Sequence, residues 1–194
     1  MTTLCMVLGL IAHENMELSQ MDIKTVFLYG DLHENIYMEQ SVGHVVKGKE
    51  HLVCKLRKSL YRLKQAPREW YHKFDTFMRS QGCMHSEIDH CLYTKRRANG
   101  SLQILILYED NMLITEKDNH NVYALKDKLG DIFDMKNLGD ANRILVIRMI
   151  RDRSRGLLYL SQQTYVEKVL KRLNMKRRKL GTIQILCSLR PLLL

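Results

Sequence analysis

The sequence predicts an α+β fold, an antiparallel sheet packed against helices. Three observations carry that prediction. Strand-like and helix-like runs mix without the regular βαβ alternation of a parallel sheet. Several strand-like runs are joined by hairpin turns, of which Asn99-Gly100 is the clearest. A chain of 194 residues with 45% hydrophobic content suits one domain with a real core.

The elements follow in chain order. Residues 2–12 are apolar and suit a core helix. The stretch is too short to span a bilayer and has no basic leader, so neither membrane insertion nor secretion is expected. "LSQMDIKTVFLYG" suits a strand running into a turn at Gly30-Asp31. "ENIYMEQ" and "HLVCKL", with Gly43 and Gly48 between them, suggest a hairpin. Pro67 stands where a helix could begin, and Trp70, Phe74, Phe77 and Met78 then recur at helical spacing. "CLYTKRRANGSLQILILYEDNMLIT" reads as two strands around Asn99-Gly100 and a third after Glu109-Asp110-Asn111. Asp118 can cap a helix bearing Val122, Leu125 and Leu129, closed by Gly130. "ANRILVIRMIRDRSRGLLYLSQ" reads as another hairpin. Ser161 can cap a last helix with Val166, Val169, Leu170 and Leu173 on one face. After Met175 the pattern decays.

The formal net charge is +10. It is unevenly spread: residues 1–50 hold few Lys and Arg, whereas residues 51–100 and 143–180 are basic. A basic surface beside acidic segments suits a protein that holds a phosphate backbone near a metal-binding acid cluster, although solvated helix faces would give the same count. Five cysteines form no zinc-type spacing and read as reduced thiols.

Two aspartates carry the candidate chemistry. Asp22 and Asp110 each lie at the edge of an apolar strand-like run. Strands that deliver acids to one edge of a sheet can hold Mg²⁺, and a pair of such ions can clamp both oxygens of a phosphoryl transfer. Either residue alone also reads as a turn or capping residue.

"MDIKTVFLYGDLHENIYMEQ", "GKEHLVCKLRKSLYRLKQAPREWYHKF", "LYEDNMLI", "LKDKLGDIFDMKNLGDANRIL" and "RDRSRGLLYLSQQTYVEKVLKRLNM" occur in that order. Together they resemble the reverse transcriptase of copia-type long-terminal-repeat retrotransposons, from about residue 4 to about residue 176. The resemblance implies a right-hand polymerase palm, here with fingers and thumb incomplete. Its expected partners are an RNA or DNA primer-template and deoxynucleotides, its cofactor is Mg²⁺, and its setting is intracellular. It implies that Asp22 is the first metal-binding aspartate and that Phe27 crowds the sugar 2′ position. Gln65 in "LKQAPREW" falls in the nucleotide pocket, and Tyr108 and Asp110 fall in a Tyr-x-Asp-Asp motif.

Several positions depart from the family pattern. Asn111 replaces the second aspartate of the motif, and Glu109 replaces a small apolar residue. Losing one carboxylate beside a divalent ion at a net cost of about 3–4 kcal/mol corresponds to a rate loss of about a hundred- to a thousandfold. Strand alternation would turn Glu109 away from Asp110, and its charge would be costly if buried. Arg62 stands where the family has glycine, Val146 and Arg148 break a pattern close to "ILGMEI", and residues 177–194 read as an unrelated basic and apolar tail. The expectation is a degenerate palm fragment with little or no polymerase activity. The alternatives are a non-enzymatic nucleic-acid-binding remnant and a product with no function. For the remnant, the phosphate-contacting candidates are Arg57, Lys58, Arg68, Lys95, Arg96, Arg97, Arg151, Arg153 and Arg155.

Overall fold

The computed structural model describes residues 2–175 and the pair 185–186. The rest of the expected tail, with the run Lys176 to Lys179 and Cys187, lies outside the described residues. Helix α1 (Thr2–His13) leads into β1 (Glu17–Ile23), a small hairpin of β2 (Tyr37–Glu39) and β3 (Val53–Lys55), and helix α2 (Ala66–Ser80). Strands β4 (Met84–His85), β5 (Leu92–Arg96), β6 (Leu102–Tyr108) and β7 (Asn111–Glu116) precede α3 (Asn119–Gly130). Strands β8 (Met135–Asp140), β9 (Arg143–Ile144), β10 (Ile147–Asp152) and β11 (Leu157–Ser161) come next, then α4 (Gln163–Arg172) and β12 (Ile185–Leu186).

The main sheet has the order β4-β5-β6-β7-β1-β8, and a second sheet has the order β12-β11-β10-β9. Pairing within the main sheet is antiparallel throughout. Its central strands are buried on both faces, which is why "QILILY" is apolar without alternation. On one face Met21, Ile23, Leu105, Leu107, Met112 and Ile114 pack with α2 and α3 through Trp70, Phe74, Met78, Val122, Leu125 and Leu129. On the other, Leu18, Ile104, Ile106 and Leu113 meet α1 through Leu4, Leu8 and Ile11, and meet the second sheet through Ile147, Met149, Leu158 and Leu160.

Trp70 belongs to the core. Its ring lies 5.4 Å from Phe74 and 5.3 Å from Phe133. Helix α2 approaches the chain at Gly30, where an added Cβ would stand 2.9 Å from the Glu69 Cβ and 3.2 Å from the Trp70 nitrogen. Only the absence of a side chain permits that contact. Asp118 caps α3 as expected, accepting the His120 N–H at 2.9 Å.

Four expectations need correction. The strand expected to run to Gly30 ends at Ile23, because Thr25 turns left-handed (φ 50°, ψ 39°) and a 3₁₀ turn, Val26–Tyr29, follows. Helix α4 begins at Gln163, so Ser161 lies one position before the cap residue, although its hydroxyl accepts the Gln163 N–H at 3.3 Å. The expected apolar face of α4 is not core: none of its residues is fully buried, and Leu173 beyond its end is 63% exposed. Strand β8 was not expected at all. "MKNLGD" does not alternate, and the strand bulges opposite Gln20 and Met21.

Candidate active site

Strands β6 and β7 are joined by the two residues Glu109 and Asp110, with Tyr108 opposite Asn111. The turn is drawn against β1, because the Ile23 N–H donates to the Asp110 carbonyl at 2.8 Å. In the β1–β7 ladder Asp22 stands opposite Asn111, and in the β1–β8 ladder it stands opposite Lys136. The fold therefore brings Asp22 and Asp110 together at one end of the main sheet. By strand parity Gln20, Asp22 and Asn111 share the face of Leu18 and Leu113, the face that α1 covers further along.

A chain of hydrogen bonds runs across this end. The Gln20 side-chain amide donates to Asn111 Oδ1 at 3.2 Å, and Asn111 Nδ2 donates to Asp110 Oδ1 at 2.8 Å. Asn111 thus places an N–H against the carboxylate, where an aspartate would offer another acceptor. Asp22 is half-buried, and partial burial pushes its carboxyl up from the ordinary range. The neighbouring Asp110 adds to that rise, and Lys136 opposes it. Tyr108, half-buried on the α1 side, has its phenol pushed up, chiefly by burial.

Glu109 differs from its expectation. It lies in the turn rather than in a strand, so alternation does not govern it, and it is exposed, so no charge is buried. Its departure is in the backbone, with φ at 55°. Arg62 also takes a positive φ, 77°, at a position where glycine would be unstrained.

Phe27 sits on the 3₁₀ turn after Thr25, and its ring meets Tyr61 edge-on with centroids 4.8 Å apart. Gln65 is the residue before α2, and its side-chain amide donates to Glu34 at 3.1 Å. Sequence reasoning missed Lys136 and Gln20 as neighbours of the acids. Lys136 could be found only by recognising β8, and Gln20 only from the register of β1.

The basic candidates do not form one surface. Lys58 pairs with Asp31, which also takes Lys73 at 3.1 Å, and exposed Arg57 is its chain neighbour. Exposed Arg68 lies in the first turn of α2. The others gather at the opposite end of the sheet. Arg151 donates to the carbonyls of Met16 and Ile11, and Arg153 pairs with Glu17 at 2.5 Å. Arg155 is exposed in the turn between β10 and β11. Arg96 lines a cavity beside α1, whereas Lys95 and Arg97 line one beside α3.

Asp22 and Asp110 supply donors suited to one Mg²⁺, which takes one or two protein carboxylates together with substrate phosphates. Among the described residues no group of three or more His, Cys, Asp or Glu side chains could hold a metal ion. With an amide at Asn111, the donor set fits one ion and does not fit a pair.

A family model described as Reverse transcriptase (RNA-dependent DNA polymerase) matches residues 1–186. The chain belongs to the reverse transcriptase family. Copia-type Pol polyproteins are among its most similar relatives. It is 51% identical over 179 residues to the retrovirus-related Pol polyprotein from transposon TNT 1-94 of Nicotiana tabacum, covering 92% of this chain and 14% of that protein. It is 34% identical over 174 residues to the retrovirus-related Pol polyprotein from transposon RE1 of Arabidopsis thaliana, covering 90% of this chain and 12% of that protein. It is 30% identical over 172 residues to the putative transposon Ty5-1 protein YCL074W of Saccharomyces cerevisiae, covering 89% of this chain and 55% of that protein. The chain thus spans 14% and 12% of the two plant Pol polyproteins. No solved structure matches it. Among the described residues no helix is long and apolar enough to cross a membrane.

Proposed function

We propose that this reverse transcriptase domain is the palm of an RNA-directed DNA polymerase whose metal centre is broken at Asn111. The observation that carries the reading is the Asn111 amide donating to Asp110 at 2.8 Å. A residue that should add acceptor oxygens for a cation instead occupies one of the acceptor's lone pairs. Mg²⁺, when bound, would polarise a nucleoside triphosphate's phosphate oxygens, and Asp22 and Asp110 would hold it. Phe27 would crowd the sugar, and Gln65 and Tyr108 would line the nucleotide's surroundings. Template-directed transfer by two ions needs a further carboxylate at position 111, where this chain has an amide, so no such step is assigned to it.

Primer extension on an oligonucleotide-primed RNA template tests the reading, with the parent chain beside Asn111→Asp, alone and with Glu109→Val. The expected result is extension by an Asn111→Asp variant at least about a hundredfold above the parent. Equal extension by parent and variants would overturn the broken centre.

A further inference from the structure

A second charged concavity lies on the α2 and α3 face of the main sheet, at the end away from Asp22. Lys95, Arg97 and Lys128 converge there with the amides of Gln81 and Gln103 around Cys83. No acid lines it. Lys95 donates to the Gln81 carbonyl at the end of α2 and, like Lys128, has no ion pair among the described residues. Arg97 gives one nitrogen to Gln103 at 3.3 Å and lies 3.5 Å from Glu116, while its Nε, sealed from solvent, has no partner. Cys83 senses the same field. Burial pushes its thiol up, whereas Lys95, Arg97 and Lys128 all pull it down, with no acid on the other side.

We propose that this concavity binds a phosphate group. Arg97 has Glu116 beside it, whereas Lys95 and Lys128 repel each other across the cavity unless an anion joins them. Lysine nitrogens are donors that phosphate oxygens accept. The Gln81 and Gln103 amide nitrogens already donate to Ser80 and to the Asn121 carbonyl. A carboxylate offers two oxygens to this set, and a phosphate offers more. The group could belong to inorganic phosphate, to a nucleotide, or to the backbone of a polynucleotide. The site is separate from the acids, because Asp22 and Asn111 occupy the opposite face of the sheet, and it does not depend on the proposed polymerase centre.

Alkylation of Cys83 by iodoacetamide in the full chain, read by peptide mass spectrometry, tests the site. Exposed Cys54 serves as the internal reference. Inorganic phosphate, a deoxynucleoside triphosphate and a short single-stranded DNA are each compared with chloride at matched ionic strength. The expected result is Cys83 alkylation slowed at least about threefold by one or more of these probes, with Cys54 unchanged. Because Cys83 is buried, protection counts only where the Lys95→Gln, Lys128→Gln double variant removes it. Such protection by phosphate or nucleotide identifies a compact anion site, and such protection by DNA alone identifies a backbone phosphate. Both outcomes support the proposal.

The double variant Lys95→Gln, Lys128→Gln should abolish protection. Lys128→Gln, at an exposed position, should weaken it in a chain whose fold is undisturbed. Unchanged Cys83 rates with all three probes would overturn the proposal, and so would protection that survives the double variant. Arg97 is left intact because its removal would leave Glu116 buried without a cation.

Discussion

The two ends of the β1–β7 ladder hold their acids under opposite conditions. At one end Glu17 stands opposite Glu116, and at the other Asp22 stands opposite Asn111. Glu116 is 0% exposed, yet one of its oxygens accepts from Ser101 at 2.9 Å and Asn121 at 2.8 Å, with Arg97 3.5 Å from the other. Asp22 and Asp110 are half-buried and share one lysine and one amide. A carboxylate whose partners are built into the fold is structural. Carboxylates placed side by side and left short of cations are suited to receive one.

The largest test of this contrast is on stability. Glu116→Ala should cost about 1–3 kcal/mol in chemical denaturation, because Ser101 and Asn121 lose their buried acceptor, while Arg97, 27% exposed, keeps some access to water. Asp110→Asn should change stability by less than about 1 kcal/mol, since it removes a repulsion along with a hydrogen-bond acceptor. Comparable losses from the two variants would erase the distinction between the ends.

A smaller effect is expected from two left-handed backbone positions, Arg62 and Glu109. Arg62→Gly and Glu109→Gly should each raise stability by about 0.5–1 kcal/mol, because a left-handed residue with a side chain costs about 1–2 kcal/mol and glycine's greater unfolded entropy offsets part of the gain. Unchanged or lowered melting midpoints would show that neither turn is strained.

The pH dependence sharpens the contrast further. The Asp22 carboxyl is raised in the folded state, by burial first and by Asp110 second. The folded chain therefore holds this proton more tightly than the unfolded chain. Its contribution to stability is fully present below the unfolded value of about 3.9 and is lost as pH rises through the raised folded value. Asp22→Asn should remove that decline and flatten the stability profile just above about pH 4. An unchanged slope in the variant would mean that neither burial nor Asp110 raises the Asp22 carboxyl.

Much of this architecture was legible in the residues. Helical spacing of Trp70, Phe74 and Met78 and the Asn99-Gly100 turn gave elements that form where expected, because local preference and burial agree there. Strand β8 was not legible, since Asn137 and Gly139 give it no alternation and its place comes from pairing with β1. The face of α4 misled, because spacing shows that a face is apolar but not that anything covers it. Asp22 and Asp110 could be named as a pair, whereas the Gln20–Asn111–Asp110 chain and the position of Lys136 depend on register. The basic list failed to separate faces: adjacent Arg96 and Arg97 line cavities on opposite sides of the sheet, which a charge count cannot reveal.

On this proposal Asn111 weakens the cation site that Asp22 and Asp110 outline, because its amide takes a lone pair of Asp110 where a third carboxylate would add oxygens. Thermal melts of the parent chain and Asn111→Asp, with and without Mg²⁺, address it directly. Without Mg²⁺ the variant should melt below the parent, because a third carboxylate joins two that already repel. With Mg²⁺ it should rise by far more than the parent, since a ligand at a hundred times its Kd adds about 2.7 kcal/mol. A Mg²⁺-dependent rise as large in the parent as in the variant would contradict the claim.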